Sequence, residues 1–229
     1  MKKEAEISLS PSKLVLFKEC PRCFFFEMKN KIRRPRGIFP SLPSGIDSAI
    51  KKYFDKNRDN GLPLEVAQYI EGTLVDQKTI DKMRSPARFF FTKKIKGKSI
   101  NFSGAIDDCV VCEKNNKKIY CPVDFKTRGF PTKEETSQLY QLQLDCYALL
   151  LKEQKYEPGE LAYLIYFFPE KFEKFNLIKF AVQVEKVEIS HEKASTTLEE
   201  AVSLLLQSKI PKPGEKCDFC KYRELLKNY

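Results

Sequence analysis

Asp107, Asp124 and Lys126 are the residues whose types and spacing carry the clearest chemistry in this chain. Val110-Val111-Cys112 and Ile119-Tyr120-Cys121 flank Glu113-Lys114-Asn115-Asn116-Lys117, a stretch that reads as a hairpin turn because Asn tolerates positive φ. A hairpin turning symmetrically on Asn115-Asn116 sets Asp107 opposite Asp124. Opposed side chains share a face, with Cβ atoms about 4.5–5.5 Å apart, and two carboxylates there repel. A divalent cation removes the repulsion, and Lys126, two residues beyond Asp124, falls on the same face. Two acids and one ammonium form the set needed to hold a metal and steer a water nucleophile.

An ordinary charged surface hairpin is the plain alternative, but Ala105, Ile106, Val123 and Phe125 make the flanks apolar. Pro122 complicates the register, because a residue without an N–H marks a bulge or a strand start and would shift the pairing by one. Asp108 points to the face opposite Asp107 and is the weaker candidate. His191 is the only histidine, so a multi-histidine centre is excluded and a hard cation must rest on carboxylates.

Cys20-Pro21-Arg22-Cys23 and Cys217-Asp218-Phe219-Cys220 are two CxxC pairs at opposite ends of the chain. Together they supply four thiolates, enough for tetrahedral Zn²⁺ or a [4Fe–4S] cluster, against the alternative of unligated cysteines. Cys109 and Cys112 lie on an expected strand, where residues three apart face opposite ways and cannot chelate one ion. Cys121 and Cys146 read as small core residues.

These groups need elements to position them. Ser10-Pro11-Ser12 opens a helix that runs to Cys20, and Pro40 to Gly45 reads as a loop feeding a helix from Asp47 to Arg58. Strands are expected over 87–94, 99–111, 160–168 and 178–187, and amphipathic helices over 135–154 and 195–207. Leu139, Leu142, Leu149 and Leu150 face the core on the first of these two helices. The mixture is α/β: a central mixed sheet flanked by helices, in one domain over 1–229, with termini joined by a four-cysteine metal site. Within it, 9–85 form a helical part, 86–190 the core, and 191–229 a helix with a cysteine tail.

The 229 residues are 42% hydrophobic, with 41 basic against 31 acidic side chains and a net charge of +10. That composition excludes a disordered, collagenous or low-complexity chain. No run of 18 apolar residues is present and the charged Met1 to Glu6 precede no apolar region, so a cytoplasmic protein without a membrane span is expected. Basic runs over 29–36 and 84–98, the second with six basic residues and no acid, interleave with Phe24, Phe25, Phe89, Phe90 and Phe91. Such runs grip phosphates, and exposed aromatics stack on unpaired bases, although most of these phenylalanines are expected in the core.

Gly104-Ala105-Ile106-Asp107, Val123-Asp124-Phe125-Lys126-Thr127 and Gln143-Leu144-Asp145-Cys146-Tyr147 occur in an order that resembles the PD-(D/E)XK nuclease superfamily. The likeness is to its RecB-like branch, which includes the CRISPR-associated adaptation exonucleases, and it covers roughly residues 10 to 223. It implies a restriction-endonuclease-like core and a metal-dependent deoxyribonuclease acting on DNA ends or single strands, in repair, recombination or CRISPR adaptation, where a protein partner would belong. It also implies that Asp107, Asp124 and the backbone carbonyl of Phe125 ligate Mg²⁺ or Mn²⁺. Lys126 would orient the attacking water, and Gln143 and Tyr147, four apart on a helix face, would hold DNA or the surroundings of the site, unless they serve packing alone.

The sequence departs from the branch at two places. Asp47 stands where a metal-binding histidine is usual, as a ligand in its place or as a helix N-cap. The iron–sulfur members carry one cysteine before the core and three after it, whereas here Cys23 is additional and no cysteine follows Cys220. A binding subunit that keeps the nuclease fold without activity, and a scaffold whose cysteine site holds a protein partner, are the competing readings.

Overall fold

The computed structural model describes residues 7–133 and 135–226. In chain order the elements are β1 (Ile7–Leu9), α1 (Pro11–Glu19), α2 (Pro21–Asn30), α3 (Ser41–Asn57), α4 (Leu64–Ala67), β2 (Thr73–Leu74), α5 (Gln77–Met83), β3 (Phe90–Ile95), β4 (Lys98–Ser103), β5 (Asp108–Lys114), β6 (Lys117–Thr127), α6 (Gln141–Glu153), β7 (Glu157–Pro158), β8 (Leu161–Lys174), β9 (Leu177–Glu188), α7 (His191–Leu206) and α8 (Asp218–Leu225).

The principal sheet runs β2-β5-β6-β8-β9, with the short β7 also paired to β6. It is mixed: β6 and β8 are parallel, while β2/β5, β5/β6 and β8/β9 are antiparallel. The parallel step needs a crossover, and α6 supplies it. A smaller sheet, β1-β4-β3, lies beside it. Helices cover both faces of the principal sheet, so successive residues of β8 serve different cores. Ala162, Leu164 and Tyr166 join the core formed with α1, α6 and α7, and Tyr163 and Ile165 join the one formed with α3 and α4. Burial on both faces explains why β8 is a continuous apolar run from Leu161 to Phe168 rather than an alternating one.

The expected α/β architecture with a mixed sheet between helices is the one observed. Several boundaries differ for identifiable reasons. The stretch 99–111 is two strands, β4 and β5, because the chain leaves one sheet for the other at Gly104-Ala105-Ile106-Asp107. A Cβ on Gly104 would lie 2.6 Å from Leu150 Cδ1, so glycine allows the bend to press onto α6. Residues 41–45 are helical rather than a loop, since Pro43 falls in the first turn of α3, where its missing N–H removes no helical hydrogen bond. Residues 136–140 form a 3-10 turn ahead of α6, which takes Leu139 off the core face and leaves it 73% exposed. Phe24 to Phe26 belong to α2, where Phe24 and Phe25 are buried; Phe89 and Phe91 are buried too, while Phe90 is exposed.

Candidate active site and cysteine centre

β5 and β6 pair in the register expected from a turn on Asn115-Asn116, both of which have positive φ. Asp108 faces Val123 and Cys109 faces Pro122, so the proline shifts nothing. It occupies the gap where β6 passes from β7, paired through Tyr120, to β8, paired from Val123. Asp107 stands one residue before the ladder, and its Oδ2 accepts a hydrogen bond from the Phe125 N–H at 2.9 Å. Two further contacts hold the Asp107 backbone: Arg84 Nε donates to its carbonyl at 2.8 Å, and the neighbouring Ile106 N–H donates to Met83.

Asp124 is 1% exposed. Its Oδ1 accepts from Gln143 Nε2 at 3.1 Å and from the Tyr147 hydroxyl at 3.2 Å, and Gln143 also donates to that hydroxyl at 2.5 Å. Lys126 Nζ lies 2.6 Å from Oδ2, off the hydrogen-bonding direction, and donates to Gln143 Oε1 at 3.2 Å. Burial pushes the Asp124 carboxyl up to about 6, the Lys126 ammonium opposes the rise, and the Asp107 charge adds to it. Asp107, Asp124, Lys126, Gln143 and Tyr147 therefore converge, as the motif order implied.

The residues fit a divalent cation on an observation independent of the motif. Asp124 Oδ2 is buried, accepts no well-aligned hydrogen bond and has the Lys126 ammonium at 2.6 Å as its one charged contact, so it keeps lone pairs that a cation can take. Asp107 keeps lone pairs on both oxygens for the same ion, since an ionised carboxylate accepts at about four positions.

Asp47 does not sit where an N-cap would. It lies in the interior of α3, whose N-cap residue is Pro40, so it is not a cap. Nor do its oxygens converge with those of Asp107 and Asp124: among the described residues, the four cysteines are the group of three or more ligand-type side chains that lies within 4.8 Å. Between Asp47 and Asp107 stands Lys51, with Nζ 2.7 Å from Asp47 Oδ2 and 2.7 Å from Asp107 Oδ1. Ile50 and Phe54 bury the adjoining face of α3, the Phe54 ring packing on Phe125 at 4.7 Å, which sets Lys51 at the edge of the site. Lys51 is not among the candidates named from the sequence; its i,i+4 spacing from Asp47 was the available signal for this contact.

Asp108 turns away, as expected, into a buried network. Arg58 donates to both of its oxygens, and Arg84 bridges Asp108 to Asp55. Arg84 therefore belongs to the interior, not to a DNA track. Arg34 is likewise committed, to Glu19 and Cys217 Sγ, and Lys93 to Glu153. Lys94, Lys96 and Lys98, around the β3–β4 turn, form no ion pair among the described residues.

The two CxxC pairs meet. Sγ–Sγ distances are 3.7 Å for Cys20–Cys220, 3.6 Å for Cys23–Cys217 and 3.7 Å for Cys23–Cys220, with no disulfide. Cys20 joins α1 to α2, and Cys217 caps α8. Burial opposes ionisation of Cys20, but the N–H groups of Gly214 and Cys23 outweigh it and bring the thiol down to about 6. Gly214 can donate because it packs against the chain at Glu19, where a Cβ would lie 2.0 Å from the carbonyl oxygen. Cys109, Cys121 and Cys146 are buried outside this centre.

Among the described residues, no helix is long and apolar enough to cross a membrane. No curated protein matches the chain in sequence. A family model does: that of the PD-(D/E)XK nuclease superfamily aligns with residues 56–225, a span holding Asp107, Asp124, Lys126, Gln143 and Tyr147. With most of the chain matched, the protein belongs to the PD-(D/E)XK nuclease superfamily.

Proposed function

We propose that this protein is a Mg²⁺- or Mn²⁺-dependent deoxyribonuclease of the RecB-like kind, acting on DNA ends or single strands. The observation that carries the reading is the environment of Asp124: buried, clamped on one oxygen by Gln143 and Tyr147, and facing Lys126 with the other beside Asp107. A divalent cation held by Asp107, Asp124 and the Phe125 carbonyl would stabilise charge on the scissile phosphate and supply an acidified water. Lys126 orients that water and offsets phosphate charge. Gln143 and Tyr147 hold Asp124 in one orientation, and Gln143 also fixes Lys126, so a single side chain sets the angle between acid and ammonium. Lys94, Lys96 and Lys98 give a salt-dependent grip on the DNA backbone.

On the cysteines the same reading takes one zinc ion. A tetrahedral ZnS₄ centre has sulfur–sulfur edges of about 3.8 Å, set by Zn–S bonds of about 2.3 Å; three of the six edges here are 3.6–3.7 Å and all four sulfurs lie within 4.8 Å of one another. A cubane places each thiolate on a different iron and needs a wider spread. Roles in repair, recombination or CRISPR adaptation, with a protein partner, remain within this proposal as its biological settings.

The test is incubation of the purified protein with end-labelled single- and double-stranded DNA in Mn²⁺, Mg²⁺ and EDTA. Metal-dependent cleavage, abolished in Asp124→Ala, is expected. No cleavage by the wild type under any metal, with DNA binding that survives EDTA, would replace the proposal by an inactive binding subunit.

A further inference from the structure

We propose that the Lys51 ammonium takes the place of a second cation, so that the catalytic site binds a single divalent ion and Asp47 serves to hold Lys51 rather than to ligate metal. The inference rests on the reading of Asp107 and Asp124 as metal ligands.

Three observations carry it. Lys51 Nζ sits at 2.7 Å from a carboxylate oxygen on each side, one on Asp47 and one on Asp107, where a bridging cation would have to lie. The carboxylates of Asp47, Asp107 and Asp124 do not converge within 4.8 Å among the described residues, as they would around one shared ion. Charge completes the case: three carboxylates against the ammoniums of Lys51 and Lys126 leave one net negative charge, which a single divalent ion reverses. A second divalent ion would meet the Lys51 ammonium at close range, where like charges repel most strongly and the partly buried setting screens little. Lys51 is itself partly buried, next to the face of α3 that Ile50 and Phe54 bury.

Lys51 is thus a positioning residue, neutralising Asp107 Oδ1 while Oδ2 is held by the Phe125 amide. An ammonium has no coordination geometry of its own, so it holds Asp107 in place without adding a second Lewis acid.

Mn²⁺ bound to the full chain, with the cysteine site preloaded with zinc, is counted by the loss of the free-ion paramagnetic resonance signal. One ion per chain is expected for the wild type and for Lys51→Arg, two for Lys51→Met, and one again for Lys51→Met combined with Asp47→Asn. Two ions in the wild type, or one in a Lys51→Met protein whose circular dichroism is native, would overturn the inference and leave the nuclease reading standing. No Mn²⁺ bound to the wild type would overturn both. Should Lys51→Met fail to fold, the wild-type and Lys51→Arg counts still decide, since two ions in either sinks the proposal.

Discussion

Arg58 and Asp108 form a bidentate pair in the interior, with guanidinium-to-carboxylate distances of 3.0 and 2.7 Å and neither side chain meaningfully exposed. Asp108 is adjacent to Asp107, yet the two acids have opposite occupations. Asp108 anchors the start of β5 to α3 and, through Arg84, to Asp55, while Asp107 faces the candidate metal site.

Removing Arg58 takes away the bidentate partner of the buried Asp108 and leaves it only the Arg84 guanidinium, 3.2 Å from one oxygen. Arg58→Ala should therefore cost about 3–5 kcal/mol of folding stability. Arg58→Met with Asp108→Leu should recover most of it, because both charges then leave the interior. Urea unfolding of the three proteins measures this; equal stability of wild type and Arg58→Ala would show that the pair holds nothing.

Tyr147→Phe removes one hydrogen bond from Asp124 and leaves the ring in the core. A loss of about 1 kcal/mol in stability is expected, as for a typical net hydrogen bond. Gln143→Ala frees both Asp124 and Lys126, and its effect should fall on turnover rather than on DNA affinity. Single-turnover cleavage and a parallel binding titration separate the two, and weakened binding at an unchanged rate would argue for a DNA contact instead.

Gly214→Ala tests the cysteine centre at a residue that ligates nothing. Its Cβ would meet the Glu19 carbonyl oxygen at 2.0 Å, so the 214 loop must retreat and the N–H bond to Cys20 Sγ is lost. The strain should cost about 1–3 kcal/mol. Zinc should be released to a chromogenic chelator faster than from the wild type; an unchanged release rate would show that the N–H bond does not stabilise the thiolate.

Stripping the cysteine metal should unfasten the chain ends without dissolving the sheet. α8 reaches the body through Cys217 and Cys220 on Cys20 and Cys23, and through Arg22 on Glu224, whereas α7 is rooted in the main core by Leu198, Ala201 and Val202. Limited proteolysis after chelation should cut within 207–217 while far-ultraviolet circular dichroism stays near native. Global loss of the spectrum would make the centre essential to the whole fold.

Much of the candidate site was legible because its determinants are local. The Asn115-Asn116 turn sets the β5–β6 register, and that register alone brings Asp107 beside Asp124 and puts Lys126 on the same face. A hydrophobic residue at every position from Leu161 to Phe168 declares the first part of β8 to be buried on both sides. The 99–111 stretch misled for the opposite reason: its strand propensity is continuous, and the break at Gly104 exists because α6, forty-odd residues later, must approach it. Leu139 misled because a 3-10 turn rotates it off the helix face that its spacing suggested.

By itself the sequence determined the acids, the ammonium, the hairpin and the two thiolate pairs, since residue identity and periods of two and 3.6 are properties of neighbours in the chain. Only the tertiary structure decided which of the charges meet. It sends Arg84 and Arg34 inward, brings Cys20 and Cys23 to Cys217 and Cys220 across nearly the whole chain, and sets Lys51 between Asp47 and Asp107. The physical reason is common to all three. Apart from the Asp47–Lys51 spacing of four along α3, each of these side chains finds its partner across space, where packing of α1, α3 and α8 against the body puts it.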